Sequence, residues 1–368
     1  MDEQLLTEKL IGYDTSTPEG IKECAGFVKG WLDARNIQTR QIDCRDLPVT
    51  LAEVGPAEAK TTLLLHGHID VVPGREQQFH ARLDGDRLIG RGAYDMKGAL
   101  AAMLLVVADL RENDGVRVRL GIVPDEESEE EVERGGDLIV TEGFLGDFVI
   151  TGEPTDMHVG VAAKGVVAMR VRVDGRAAHG ATPWLGENAI LRAIDVFRAI
   201  QSLPFASRSS ELFDRPSINL GRILGGDALN KVPDTCYIDV DVRYLPEQDP
   251  ETILAEVEGI PGATIVSTFR RPPAMVDPQS PFVRALCAAT ASHHDGEVTS
   301  VGRDGASDAV SFLRAGVPAV EFGPVGAGHH GPDEWVSVSS LAGYRLALAD
   351  FADGLRTRLR AVDDGEAA

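Results

Sequence analysis

The sequence predicts an α/β protein in which a larger domain of alternating helices and strands is interrupted by a small α+β domain. Three observations carry this. At 368 residues the chain exceeds the size at which a single hydrophobic core stops growing, so two domains are expected. Up to residue 150, helical and strand-like patterns alternate. After Glu153 the pattern turns to the alternation of antiparallel strands, and it reverts past Pro272 and Pro273. The expected limits are residues 1–162 and 273–368 for the larger domain and 163–272 for the insert.

Taken in order, residues 5–11 and 21–32 carry apolar side chains at helical spacing, and residues 62–65 form a short apolar run that leads into HGHID. Residues 96–110 read as a long apolar helix starting just after Asp95. Residues 116–123 alternate as a strand that ends at PDEES, and residues 148–150 form a third strand before Gly152 and Glu153. Each of these acidic or histidine motifs therefore stands where a strand or helix ends, which is where open α/β sheets place their active sites. In the insert, residues 159–173 alternate, 187–203 are helical, and 218–223 and 236–243 are strand-like, a two-strand, helix, two-strand order. Beyond the proline pair, alternation resumes with residues 282–292, 308–315 and 319–322. A helix over residues 340–359 closes the larger domain, and the tail VDDGEAA is expected to be disordered.

Asp and Glu total 58 against 36 Lys and Arg, a formal net charge of -22 that repels phosphate backbones and anionic lipid. Nucleic acid and membrane surfaces are thus not expected partners. Only seven of the basic residues are lysine, so the composition resembles that of proteins from salt-loving organisms, with an ordinary acidic enzyme as the plainer reading. No apolar run is long enough to cross a bilayer, and residues 100–107 are followed by Asp109 and Arg111. The acidic, amphipathic start MDEQLLTEKL is unlike a secretion signal, which gives a cytoplasmic expectation. Cys24, Cys44, Cys236 and Cys287 show no paired spacing and read as reduced structural residues.

Five separated stretches hold the chemistry: LLHGHIDVVP, GRGAYDMKG, PDEES, TGEPT and GHHGPDE. His68 and Asp70 lie two apart, so on a strand both point to one face, and a carboxylate beside an imidazole fixes its tautomer. His66 is a rival to His68. Asp95, before a helix, could be an N-cap, yet one carboxylate can also bridge two cations. Glu126 and Glu127 open an acid run whose residues 129–133 read as surface decoration. Neighbours on an extended segment point in opposite directions, so one glutamate could bind metal while the other faces a substrate. Glu153 could be a turn residue, and His330 has His329 beside it. Each motif is ordinary by itself. Their joint occurrence, in order and at element ends, points to water-driven cleavage of an amide bond at a two-metal site.

From about Ile11 to Leu346 the chain resembles the family containing aminoacylase, acetylornithine deacetylase, succinyl-diaminopimelate desuccinylase and related zinc carboxypeptidases. The resemblance implies a mixed-sheet, three-layer catalytic domain with a ferredoxin-like lid and dimerisation domain. It implies two zinc ions, replaceable by cobalt: His68 and Glu153 would hold one, Glu127 and His330 the other, and Asp95 would bridge them. Glu126 matches the general base. His330 rather than His329 has the family's spacing to Pro332 and Glu334. Within GRAAHGATPWLGENAI, His179 matches a histidine that reaches the dimer partner's site to stabilise the oxyanion, although the same segment would also suit an ordinary turn. Asn230, Arg243, Lys164 and Ser307 match substrate contacts. The implied reaction is hydrolysis of small anionic N-acyl amino acids, with a dipeptidase or carboxypeptidase as the alternative within the class and a non-catalytic metal scaffold outside it. Pro124 and the acid run after Glu127 depart from the family pattern and leave the ligands intact.

Overall fold

The computed structural model describes residues 2–128 and 134–363, the last eight of these as helical backbone alone. The acid run 129–133 and the end of the tail, 364–368, lie outside the described residues. The chain divides into two compact units. The first holds residues 1–161, 276–301 and 308–368, and the second holds 162–275 and 302–307. The second unit thus begins one residue before the expected insert, ends three after it, and takes in a six-residue segment from beyond it.

In the first unit a mixed sheet runs in the order Thr39–Cys44, Leu47–Val54, Arg117–Val123, Thr62–His68, Phe148–Thr151, Ala319–Phe322, Val159–Ala163. Its centre is parallel, from Arg117–Val123 through Thr62–His68 and Phe148–Thr151 to Ala319–Phe322, and strands beyond on either side run antiparallel. Central strands buried on both faces read as unbroken apolar runs, which is why LLL at 63–65 and FVI at 148–150 stood out in the sequence. The hairpin Thr39–Val54 escaped sequence reading because its first strand, TRQIDC, is mostly exposed and carries no apolar alternation.

Helices lie on both faces of this sheet. The helix Gly98–Asp109 has every residue from Gly98 to Ala108 buried, packed between the sheet and the helices Glu3–Ile11 and Val338–Asp363. An approach this close needs a glycine opposite: a Cβ on Gly67 would lie 2.5 Å from the Met96 Cε. On the other face, the Ile139 side chain of helix Gly135–Thr141 closes over Gly121, and Phe312 of helix Ala309–Arg314 meets the His66 ring at 5.1 Å. Capping fixes the helix starts. Asp2 accepts from the Leu5 amide, and Thr17, ahead of Pro18, accepts from the Gly20 amide.

The second unit is a β-α-β-β-α-β fold: Gly165–Asp174, Ala189–Ile200, Ser217–Gly225, Thr235–Tyr244, Pro250–Glu258, Ala263–Arg271. Its antiparallel sheet has the order Ser217–Gly225, Thr235–Tyr244, Gly165–Asp174, Ala263–Arg271. This corrects the expected two-strand, helix, two-strand order. Residues 159–173 are two strands that belong to different sheets, and the helix Pro250–Glu258 with the last strand went unread. Val167, Met169, Val171 and Val173 pack with Ile238, Val240 and Val242 against Ala193, Val196 and Ile200 on one helix and Ile253 and Val257 on the other. The alternation leaves the opposite face polar, with Arg170, Arg172, Asp239 and Asp241.

All four cysteines are free thiols. Among the described residues no helix is long and apolar enough to cross a membrane.

Candidate metal centre

Parallel strand ends and the loops that follow them gather the acidic motifs of the first unit. His68 ends its strand fully buried, with Nδ1 2.9 Å from the Asp70 backbone carbonyl. A proton on Nδ1 donated there leaves the Nε2 lone pair free to ligate. That Nε2 lies 3.2 Å from Asp95 Oδ1 and 3.7 Å from Glu153 Oε1. On the other side, His330 Nε2 lies 2.9 Å from Glu127 Oε1 and 3.5 Å from Asp95 Oδ2. Asp95 therefore turns one oxygen to each group, and the donor atoms within each of the two trios lie within 4.8 Å of one another.

The doubled histidines separate clearly. His66 is buried under the helix Ala309–Arg314 with Nδ1 3.1 Å from Thr151 Oγ1, and burial pulls its pKa down to about 4. His329 instead has its ring 6.2 Å from Tyr94. His330 sits in the left-handed region at φ 62°, a conformation that a non-glycine residue keeps when its surroundings demand it.

The Asp70 carboxylate does more than orient His68. Its Oδ1 is 3.5 Å from His68 Nδ1, but its closer partners are the amides of Glu126, at 3.2 Å, and Glu127, at 2.8 Å. It thereby sets the turn that sends the two glutamates to different places. Arg134 supports the same turn, donating to the Glu126 and Ser128 carbonyls.

The site is electrically unbalanced. Burial first, then the charges of Asp308, Glu127 and Asp95, push the Glu126 carboxyl up to about 8, against the pull of His68. Glu153 rises well above the usual carboxylate range, through burial and then Asp95. Hydrogen bonds to Asp95 and Glu127 lift His330 to about 10. Burial opposes a charge on His68, yet bonds to Asp70 and Asp95 hold it well above its ordinary value. Burial likewise works against the Asp95 anion, but the two imidazoles outweigh it and keep the carboxyl low. Four carboxylates crowd two imidazoles, a surplus of negative charge that divalent cations would neutralise. Imidazole nitrogen and carboxylate oxygen, with no thiolate, are donors that suit such cations.

The other expected site residues lie in the second unit. His179 is exposed in the turn 179–182, and its Nδ1 accepts from the Ala181 amide at 3.0 Å. Its neighbour across an isolated bridge is Lys231, next to the exposed Asn230. Arg243 is half-buried, with Nε 3.0 Å from Asp241 Oδ2. Lys164 is buried, its ammonium 2.7 Å from Asp304 and 2.7 Å from the Arg215 carbonyl, so its charge serves to join segments of that unit. Ser307 is buried as well. Sequence reasoning used Glu334 only as a spacing mark and passed over Arg91, yet the two form a buried ion pair at 2.7 Å. An acid four residues after His330 was the available signal.

Comparison with known proteins gives consistent findings. The family described as Peptidase family M20/M25/M40 matches residues 64–353. A succinyl-diaminopimelate desuccinylase of Caulobacter sp. (strain K31) is 27% identical over 365 residues, covering 93% of this chain and 92% of that one. A probable carboxypeptidase of Aspergillus terreus is 34% identical over 201 residues, 51% of this chain and 46% of the relative. Among solved structures, an M20 family metallo-carboxypeptidase from Sulfolobus solfataricus shares the fold, with a TM-score of 0.77 and 21% identity over 96% of this chain and 99% of that chain.

Proposed function

The chain belongs to peptidase family M20/M25/M40, and on that premise we propose that it cleaves the amide bond of small N-acyl amino acids, in the manner of a deacetylase or desuccinylase. The observation that carries this is the sharing of Asp95 between two trios of donors, with Glu126 half-buried beside them and belonging to neither. His68 and Glu153 would hold one zinc ion, Glu127 and His330 the other, and cobalt could replace zinc. Bound there, the ions would supply an acidified water and a Lewis acid for the amide carbonyl.

The residues do the rest. Glu126 accepts the proton of the attacking water and returns it to the leaving amine, a task for which a carboxylate poised near neutrality is suited. His179 is set up as a donor: with the Ala181 amide on Nδ1, its neutral ring carries the proton on Nε2. A preset donor of this kind at an oxyanion is typically worth about 2.7–4 kcal/mol. Arg243, with Asn230 and Ser307 as further candidates, is proposed to recognise the substrate's anionic group, while the Lys164 ammonium is engaged by Asp304 and the Arg215 carbonyl. The exposed edge strand Ser217–Gly225, with Ile223 and Leu224 uncovered, supports a homodimer formed through the second unit.

Similarity to the Aspergillus terreus protein favours a second reading within the class, a carboxypeptidase or dipeptidase. A purely structural metal scaffold would have no use for Glu126. Assaying N-acetyl and N-succinyl amino acids beside dipeptides, with zinc- or cobalt-loaded protein, should show one substrate group turned over well ahead of the others. Full metal occupancy with no hydrolysis of any would favour the scaffold and overturn the enzyme reading.

A further inference from the structure

We propose that Glu334 and Arg91 are positioning residues of the metal centre, clamping together the two loops that present Asp95 and His330, an inference that rests on the two-metal reading of the site. Glu334 is 1% exposed and belongs to neither trio of donors. Its carboxylate is instead saturated by the turn before Asp95. Oε1 accepts from the amides of Tyr94 and Asp95, each at 3.0 Å, and Oε2 accepts from the Gly92 amide at 3.1 Å and Arg91 Nη1 at 2.7 Å. Three backbone amides can converge on one carboxylate because Gly92 takes φ 77°, a left-handed conformation that makes the turn concave.

The second arm is Arg91. It is 3% exposed, and while Nη1 holds Glu334, Nη2 donates to the His330 carbonyl at 3.3 Å. The guanidinium fork spans two partners in a fixed plane, which a lysine could not do. Glu334 is also bonded through its own backbone, with the Gly90 amide on its carbonyl at 2.9 Å. The bridging aspartate and a histidine on the far side of it are therefore referenced to one buried anion. Asp95 Oδ2 and His330 Nε2 lie 3.5 Å apart, so a shift of either loop would change the spacing of donors in the second trio.

A buried ion pair can also be merely structural, and replacing such a pair often costs little. The two roles differ in what they move. A clamp sets metal affinity, whereas a generic core contact sets the stability of the metal-free fold. Glu334→Gln is nearly isosteric but turns an NH2 group toward backbone amides that are themselves donors, so the turn must shift. The measurement is zinc affinity by competition with a chromogenic chelator, read beside the melting temperatures of stripped and loaded protein. Glu334→Gln should bind zinc at least about 10-fold more weakly, the scale on which outer partners of metal ligands act. Its gain in melting temperature on loading should shrink. Arg91→Lys, which keeps the charge, should weaken binding in the same direction by less, and it carries the test if Glu334→Gln does not fold. Leu32→Ala, a truncation of a fully buried side chain in the helix Pro18–Asp33, serves as the comparison that lowers stability alone. If the folded Glu334 and Arg91 variants lose stripped-protein stability as Leu32→Ala does while binding zinc as tightly as the parent, the clamp is refuted. If the parent itself binds no zinc, the metal-centre reading falls first and the clamp with it.

Discussion

Glu126 and Glu127 are adjacent in the chain and the Asp70 carboxylate holds both their amides, but only Glu127 joins a trio of possible metal donors, and the proposed roles differ accordingly. Glu126→Gln should lower turnover by about 10²–10⁴-fold, the usual scale for a general base, while metal analysis finds the parent's content. Glu127→Gln should instead lower occupancy of one site. Equal turnover in Glu126→Gln and parent would remove the proton-carrier role. Metal removal gives a second prediction, with a definite sign. Glu126, Glu153, His68 and His330 all hold protons more tightly in the folded metal-free protein than in an unfolded chain. Wherever the folded state binds more protons, stability falls as pH rises. The contribution of Glu126 is complete below its ordinary value of 4.5 and is lost by about 8; that of His330 is complete below 6.5 and lost by about 10. Asp95 acts the other way below its ordinary 3.8, as do His66 between about 4 and 6.5 and Lys97 above about 8, but at each pH in between these are outnumbered by the groups that hold protons more tightly. Chelator-stripped protein should therefore melt at steadily lower temperature from about pH 5 to 9, and zinc-reloaded protein should lack that slope, since cations replace the protons. A stripped protein with a flat or rising profile would contradict the charge balance described. The sequence made His68, Asp95, Glu126, Glu127, Glu153 and His330 legible as candidates because the first five stand near element ends and His330 lies in a short glycine-rich motif. It hid Glu334, which accepts from three backbone amides, and Arg91, which donates to a backbone carbonyl, because a hydrogen bond to backbone leaves no pattern of residue types.

Among the elements, the helix Gly98–Asp109 follows directly from the Asp95 turn and is buried from Gly98 to Ala108. Leu104→Ala should destabilise the protein by about 2–5 kcal/mol, the range for truncating a buried leucine, and urea unfolding of stripped protein would measure it. A cost below about 1 kcal/mol would mean that the neighbouring helices collapse into the space. This helix was legible because eleven consecutive residues are apolar or small enough to bury. By contrast, the strand Ala263–Arg271 alternates half-buried and exposed residues and carries Arg270 and Arg271, so it lacks an apolar stripe. The helix Pro250–Glu258 buries only Ile253, Leu254 and Val257, and its start is marked by the Asp249 cap and Pro250 more than by hydrophobicity. Local polarity concealed these two elements. Their pairing partner, the strand Gly165–Asp174, is what places the last strand in the sheet.

At the scale of the whole molecule, charge and connectivity each have a measurable effect. With a net charge of -22, dilution from molar salt to 0.1 M extends the Debye length from about 3 Å to about 10 Å, so surface carboxylates repel over more of the molecule. The melting temperature should fall over that dilution, and a constant value would withdraw the halophilic reading without touching the enzymatic one. If His179 serves a partner's site, mixing Glu126→Gln with His179→Ala chains should restore part of the activity once mass analysis shows subunit exchange. Exchange with no recovery would confine His179 to another role. The two-unit division has a different kind of consequence. The backbone passes between units four times, because Gly302–Ser307 returns to the second unit after the insert proper has ended. Within that unit the Lys164 amide donates to the Arg303 carbonyl at 3.1 Å, and its ammonium meets Asp304. The second unit is consequently not a cassette. A gene fragment encoding 162–275 would express the complete ferredoxin-like pattern yet leave behind the six-residue segment whose Asp304 pairs with a buried lysine. Swapping this module between relatives would need two simultaneous splices, and a one-piece graft should arrive with Lys164 uncompensated.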